Sequence, residues 1–243
     1  MAQARLDGKT ALITGASAGI GRATALALAE VGCAIVATGR RQGELDTLAR
    51  AVEGKGVKCR TIAGDLTDRD FVASMVERAG DFDILVNNAG VLTYAPLLAM
   101  KPEECDAMFR VNVLAALDVA LAVGRRMAAR KQGHIVMMTS TGARAVLRNG
   151  VVYCASKFAL SALAQGLRLE LQSEGVRVSE VAPGMVDTEI RKNSTHPAVL
   201  AGLKARTFSP LTSEEVASAV VYAVTAPANC CPDLIELRPR GSA

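Results

Sequence analysis

Aromatic residues are scarce in this chain: Phe, Tyr and Trp together make up 3% of its 243 residues. Its formal net charge is a modest +4. A nucleic-acid surface calls for a basic stripe with interleaved stacking rings, so that class of partner is not expected. Histidine is scarcer still. His134 and His196 are the two present, neither has a partner at ligand spacing, and no metal site is expected. The six cysteines (Cys33, Cys59, Cys105, Cys154, Cys230 and Cys231) contain no C-x-x-C pair. Met1 to Thr10 carries Arg5, Asp7 and Lys9 without an apolar core, which does not read as a signal peptide. The thiols are then reduced and the protein cytoplasmic. Cys154 is open to two readings, a small packing residue or a redox-sensitive thiol. No uninterrupted apolar run of about 18 residues occurs, so a membrane span is not expected. Repeats, low-complexity stretches and linkers are missing too.

What is present is a high hydrophobic content, 50%, enough for one α/β domain over residues 1–243. Short β-branched runs alternate with longer helical patterns, which predicts a mostly parallel, doubly wound sheet with helices on both faces. The expected strands lie near 9–14, 33–38, 57–62, 82–86, 133–139, 176–182 and 233–237. Helices are expected near 20–31, 42–53, 68–79, 102–109, 112–130, 151–173, 189–205 and 212–224.

Two local patterns point to chemistry. The apolar run Lys9 to Thr14 leads into Gly15-Ala16-Ser17-Ala18-Gly19-Ile20-Gly21 and then a helical stretch. Strand, glycine turn and helix form the context in which glycines let a backbone approach a pyrophosphate, with the helix amino terminus supplying free N–H groups. The spacing is G-x-x-x-G-x-G rather than G-x-G-x-x-G. Further on, Tyr153 and Lys157 stand four residues apart, on one face of a predicted helix. A nearby ammonium favours phenolate and lowers a tyrosine pKa, which suits proton exchange with an alcohol oxygen.

Asp65, Asn87-Asn88-Ala89-Gly90, Asn112, Ser140 thirteen residues before Tyr153, and Pro183-Gly184 with Thr188 complete an ordered set of motifs. With these the chain resembles the short-chain dehydrogenase/reductase family over nearly its whole length. The resemblance implies a Rossmann-like fold with a seven-stranded parallel sheet. It implies Asn112, Ser140, Tyr153 and Lys157 as the catalytic set. Tyr153 would be general acid and base, Lys157 would bind the nicotinamide ribose, Ser140 would polarise the carbonyl, and Asn112 would hold a proton-relaying water. Cofactor contacts carry over to Gly15, Ser17, Ala18, Gly19, Ile20, Gly21, Asp65, Leu66, Asn88, Ala89, Gly90, Pro183, Gly184, Val186 and Thr188.

The second strand runs into Gly39-Arg40-Arg41, with no carboxylate before Glu44. An acid there would hydrogen-bond the adenosine ribose of NAD, whereas Arg40 can clamp a 2′-phosphate. The expected cofactor is therefore NADP(H). Arg41 is a second phosphate partner or the solvated start of the next helix. The family builds specificity after Pro183-Gly184, here a lid over about 185–208. Met185 and Arg191 join Ser140 and Tyr153 as expected substrate contacts. Arg191, Lys192, Lys204 and Arg206 occur between Ile190 and Phe208 with no acid; they attract a substrate anion or form a solvated face.

The tail lacks an Asp-Gly-Gly turn and resembles NADP-dependent 3-hydroxy acid (serine-type) dehydrogenases and clavulanate-aldehyde reductases. The expected activity is interconversion of a secondary alcohol or hydroxy acid with a carbonyl. A 3-oxoacyl-carrier-protein reductase and a non-enzymatic NADP sensor are the alternatives. The resemblance also implies a homotetramer or homodimer, built through the helices near 112–130 and 151–173.

Overall fold

Short runs of small and β-branched residues make the strands, and their two faces are both apolar. In β1 (Thr10–Thr14), Ala11 and Ile13 join one core while Leu12 joins the other, as the two-residue side-chain period of a strand requires. β2 (Ala34–Gly39), β3 (Cys59–Ala63), β4 (Ile84–Asn87), β5 (Gly133–Met138), β6 (Val176–Pro183) and β7 (Leu234–Leu237) complete one sheet. Every pairing is parallel, in the order β3-β2-β1-β4-β5-β6-β7. This computed structural model describes residues 5–242. Met1–Ala4 and Ala243, the ends of the expected domain and part of the segment expected to carry no signal peptide, lie outside the described residues.

α1 (Gly19–Glu30), α2 (Gln42–Glu53) and α8 (Ser213–Thr225) cover one face through Leu28, Leu45, Leu48 and Val220. α3 (Arg69–Ala79), α5 (Ala116–Ala129) and α6 (Val151–Leu171) cover the other through Met75, Val123 and Leu160. The doubly wound, Rossmann-like expectation holds. Strand order reverses between β1 and β4, which opens a crevice beyond their carboxyl ends.

Two helix expectations need correction. The segments expected as separate helices at 102–109 and 112–130 are continuous: α4 (Pro102–Phe109) passes through a π-helical turn, Arg110–Ala115, into α5. Asn112 sits inside that turn, wholly buried. The run Pro102–Ala129 is also long and apolar enough to cross a membrane. Here its stripe of Val119, Ala120, Val123 and Met127 lies fully buried in the core. The second correction concerns 189–205, expected as one helix. It is a 3-10 turn, Glu189–Asn193, a break, and α7 (Pro197–Lys204). Pro197 has no N–H to give to a helix interior and instead starts α7, where His196 Nδ1 accepts the Ala198 N–H at 3.2 Å. Other boundaries shift by one or two residues.

Candidate active site

The crevice is a cleft of roughly 640 Å³. At one end lies the glycine turn between β1 and α1. Gly15 has φ 65°, in the left-handed region that favours glycine. At Gly21 the constraint is space, because a Cβ would run into the Gly15 carbonyl oxygen and the Asn88 side chain. The α1 amino terminus has no side-chain cap at Ala18 and no acid in its first turn. Its N–H groups are left for an anion, which is what a pyrophosphate needs.

Asn88 braces this turn. Its Nδ2 donates to the Thr14 carbonyl at 2.9 Å, and its backbone N–H donates to Thr14 Oγ1 at 2.9 Å. Asn87, three residues before Gly90, is a buried strut donating to the Ala116 carbonyl at 2.8 Å. Asp65 Oδ1 accepts from the Thr67 N–H and hydroxyl, both at 2.9 Å. That backbone bond first, and the charge of Arg40 last, hold its carboxyl below the usual carboxylate range. Arg40 is exposed at the end of β2 on the cleft wall. Arg41 reaches back over the turn, with Nη2 at 3.4 Å from the Ser17 carbonyl and Nη1 at 3.7 Å from Glu189.

At the other end Tyr153, Lys157 and Ser140 converge. Tyr153 and Lys157 rise one turn apart on α6, both nearly buried, with the ammonium 5.9 Å from the ring centroid. Lys157 Nζ donates to the Met138 carbonyl at 3.0 Å, which leaves further N–H donors for a ligand. Burial pulls its pKa down to about 8. The expectation that the cation lowers the tyrosine pKa is overturned: burial raises it, and the Ser140 hydrogen bond and the charge of Arg191 offset only part of that rise. Ser140 Oγ accepts the Gly142 N–H at 3.1 Å and turns its own proton toward the Tyr153 hydroxyl. The thiol of Cys154 is fully buried, accepts the Leu147 N–H at 3.4 Å, and has its pKa raised by burial. It is a packing residue, not an activated thiol.

The sequence-predicted residues all line this cleft except Gly21 and Asn112. Gly21 closes the turn from behind. Asn112 Oδ1 accepts the Val91 N–H at 2.8 Å, while Nδ2 donates to the Val91 carbonyl at 2.9 Å and to Ser156 Oγ at 3.1 Å. The π-helical turn aims this amide inward, where it ties the loop after β4 to α6.

A sequence profile of the short chain dehydrogenases matches residues 9–198. The chain belongs to the short-chain dehydrogenase family. It is therefore an oxidoreductase of that family. An uncharacterized oxidoreductase of Staphylococcus haemolyticus is 33% identical over 238 residues, covering 96% of this chain and 98% of its own. The glycine betaine reductase of Emericella nidulans is 35% identical over 240 residues, 97% of this chain, but the chain spans only 19% of that protein. A gluconate 5-dehydrogenase from Burkholderia cenocepacia, solved with NADP and tartrate, superposes with a TM-score of 0.85 at 33% identity. That superposition covers 96% of this chain and 95% of the other.

This short-chain dehydrogenase also has wall residues that sequence reasoning missed, among them Tyr94, Leu147, Phe208, Arg238 and Ser242. Tyr94 carried a faint signal, as one of three tyrosines and close behind Gly90. Arg238 and Ser242 carried none. They arrive because the Gly184 N–H donates to the Leu237 carbonyl at 2.7 Å, which lays the tail alongside the Pro183-Gly184 loop.

Proposed function

We propose that this short-chain dehydrogenase uses NADP(H) to interconvert a secondary alcohol or hydroxy acid with its carbonyl compound. One observation carries the reading: Tyr153, Lys157 and Ser140 share a cleft with an uncapped helix amino terminus and the exposed cation Arg40. The gluconate 5-dehydrogenase solved with NADP supports the same cofactor. The glycine turn would take the pyrophosphate, Arg40 and Arg41 the 2′-phosphate, and Asp65 with Leu66 the adenine. Asn88, Ala89, Gly90 and Lys157 would line the riboses, and Pro183, Gly184, Val186 and Thr188 the nicotinamide.

When bound, NADPH supplies a hydride to the carbonyl carbon. Tyr153 donates its phenolic proton to the carbonyl oxygen. Burial keeps that phenol protonated at neutral pH, so the proton to be given is in place, while the Ser140 hydrogen bond and the charge of Arg191 work against the rise and favour its release. Ser140 donates a hydrogen bond to the same oxygen and steadies the charge that develops there. Lys157, fixed by Met138, offers a positive charge to the phenolate left behind. Asn112 acts as a positioning residue, holding the Gly90-Val91 loop against α6. In the oxidative direction Tyr153 takes the proton back.

The 185–208 segment is the lid over the substrate end, the serine-type 3-hydroxy acid dehydrogenases are the subgroup its tail favours, and one domain working in the cytoplasm as a homotetramer completes the reading. The test follows absorbance at 340 nm. NADP⁺ and NAD⁺ are paired with serine, 3-hydroxy acids, sugar alcohols and secondary alcohols, and NADPH with keto acids, aldehydes and acetoacetyl thioesters. Preferred turnover with NADP(H) supports the reading. Preferred thioester turnover would make the protein a 3-oxoacyl-carrier-protein reductase. Tight NADPH binding with no turnover would make it a cofactor sensor.

A further inference from the structure

The substrate end of the cleft combines apolar side chains, among them Leu92, Leu147, Met185 and Ile190, with one feature that does not match them, the guanidinium of Arg191. Its position is held from both ends. Nη1 donates to the Val186 carbonyl at 2.8 Å. Its backbone carbonyl accepts the Ser194 N–H at 2.9 Å, and Ser194 Oγ accepts the Tyr94 N–H at 2.9 Å. Ser194 is buried, so this staple between lid turn and Tyr94 loop is shielded from water. Tyr94 is fixed in turn, its ring edge-on to Tyr153 with centroids 5.7 Å apart.

The guanidinium also lies against the Tyr94 hydroxyl, and a hydrogen bond from it offsets part of the rise that burial gives the Tyr94 pKa. Nε is buried without a hydrogen-bond partner among the described residues. Glu189, the nearest acid in sequence, is engaged by Lys192 and Arg41. An unmet buried N–H costs about 1–3 kcal/mol. With Nη1 occupied by Val186 and Nε closed off from solvent, Nη2 is the donor left to the cleft, and a carboxylate oxygen there would be held by a charge-assisted hydrogen bond. The charge also reaches the reacting group, since it acts on the phenols of both Tyr94 and Tyr153.

We propose that the guanidinium of Arg191, through Nη2 and backed by Tyr94, is a carboxylate-recognition site, and that the substrate is an oxo acid or the corresponding hydroxy acid. The inference rests on the alcohol–carbonyl reading above. The carboxylate is held unchanged on Arg191, while the ketone carbon gains a hydride and its oxygen the Tyr153 proton. NADPH is oxidised to NADP⁺ as the ketone is reduced to the alcohol. The apolar wall accommodates the rest of the carbon chain.

The test pairs oxo acids, with the carboxylate one, two or three carbons from the ketone, against their methyl esters, using NADPH and the full chain. For at least one pair, kcat/KM should favour the acid about 10- to 100-fold, the scale of a hydrogen bond between charged groups. Arg191→Gln should lower kcat/KM for the acid about 10- to 100-fold more than for its ester, and Arg191→Lys should recover only part of that difference. Equal use of acid and ester by the wild type, or equal loss of both in Arg191→Gln, would overturn the inference and leave the dehydrogenase reading standing. If neither partner of any pair turns over, malonate titrated into NADP⁺-loaded protein decides. Binding that Arg191→Gln abolishes sustains the site even as the reaction reading falls, and no binding removes both.

Discussion

Lys157 Nζ is bonded to the main-chain oxygen of Met138 at 3.0 Å, at the carboxyl end of β5 and two residues before Ser140. The ammonium on α6 and the hydroxyl beyond β5 are thereby held as one unit, with Tyr153 a helical turn away from the lysine. The phenol, the cation behind it and the hydroxyl, proposed above as proton donor, counter-charge and carbonyl-polarising group, are held in place by contacts within the protein. Such preorganisation is what makes a hydrogen-bond donor effective as charge develops.

If Tyr153 is the general acid, Tyr153→Phe should lower turnover by about 10²-fold or more. Its ring would still pack edge-on against Tyr94, so NADPH affinity should hardly change. Turnover measured at saturating NADPH, with cofactor fluorescence titration alongside, checks both halves. Wild-type turnover in the variant would remove Tyr153 from the mechanism.

Cofactor choice should turn on Arg40. Arg40→Asp replaces the cation proposed to bind the 2′-phosphate with an acid that repels such a phosphate and accepts from ribose hydroxyls. The ratio of kcat/KM for NADPH over NADH should fall by about 100-fold, the scale of a lost charge-assisted contact plus the added repulsion. An unchanged ratio would move the discriminating role to Arg41.

His134 makes stability acid-sensitive. Its ring is buried on β5, with Nε2 2.8 Å from Ser179 Oγ. Burial, with the charge of Arg177 adding, holds its pKa near about 3, against an ordinary 6.5. The unfolded chain therefore takes up a proton as pH falls below the ordinary value, while the folded chain does not. Stability from this group is full above pH 6.5 and drains away as pH falls toward 3. Between pH 7 and pH 5 the loss is about 2 kcal/mol. His134→Gln should flatten that part of the profile, as read by urea unfolding at both pH values. Parallel profiles for the two proteins would contradict the assignment.

Behind the Ser140 loop, Glu180 is buried with Arg144 Nη2 at 2.6 Å, Thr139 Oγ1 at 2.7 Å and Ser161 Oγ at 3.1 Å. Thr139 and Arg144 flank Ser140, so this ion pair clamps the loop that carries it to β6. Glu180→Gln keeps the shape but strands the Arg144 charge, and should cost about 3 kcal/mol. The loop should loosen as well, and lower kcat more than it raises KM. Pairing it with Arg144→Gln should restore much of the stability but not the rate. Full recovery of both would reduce the clamp to packing.

Helix faces left exposed bear on assembly. Leu114 and Leu121 lie seven residues apart along the π turn and α5, and Val151 and Phe158 along α6; all four are exposed. That spacing keeps each pair on one helical stripe. Light scattering should give the mass of a tetramer or dimer for the wild type, and a smaller species for Leu114→Glu combined with Phe158→Glu. A monomeric wild type would end the expectation.

The order of motifs along the chain determined the family, the doubly wound sheet and about half of the residues of the cleft wall. These features are local: a glycine turn between strand and helix, a Tyr and a Lys one helical turn apart, a strand ending in Gly39-Arg40. Each records a backbone or spacing requirement that holds before the chain folds. Tertiary structure decided what depends on distant partners. The sign of the Tyr153 shift was one such matter, because spacing places a cation nearby but only packing removes the water. The inward turn of Asn112 needed Val91 and Ser156, and the approach of Arg238 needed the pairing of Leu237 with Gly184. Arg191 shows the division most plainly. Its charge was visible in the lid, but only the contact with Val186 and the staple through Ser194 to Tyr94 fix that charge on the cleft wall beside Tyr94.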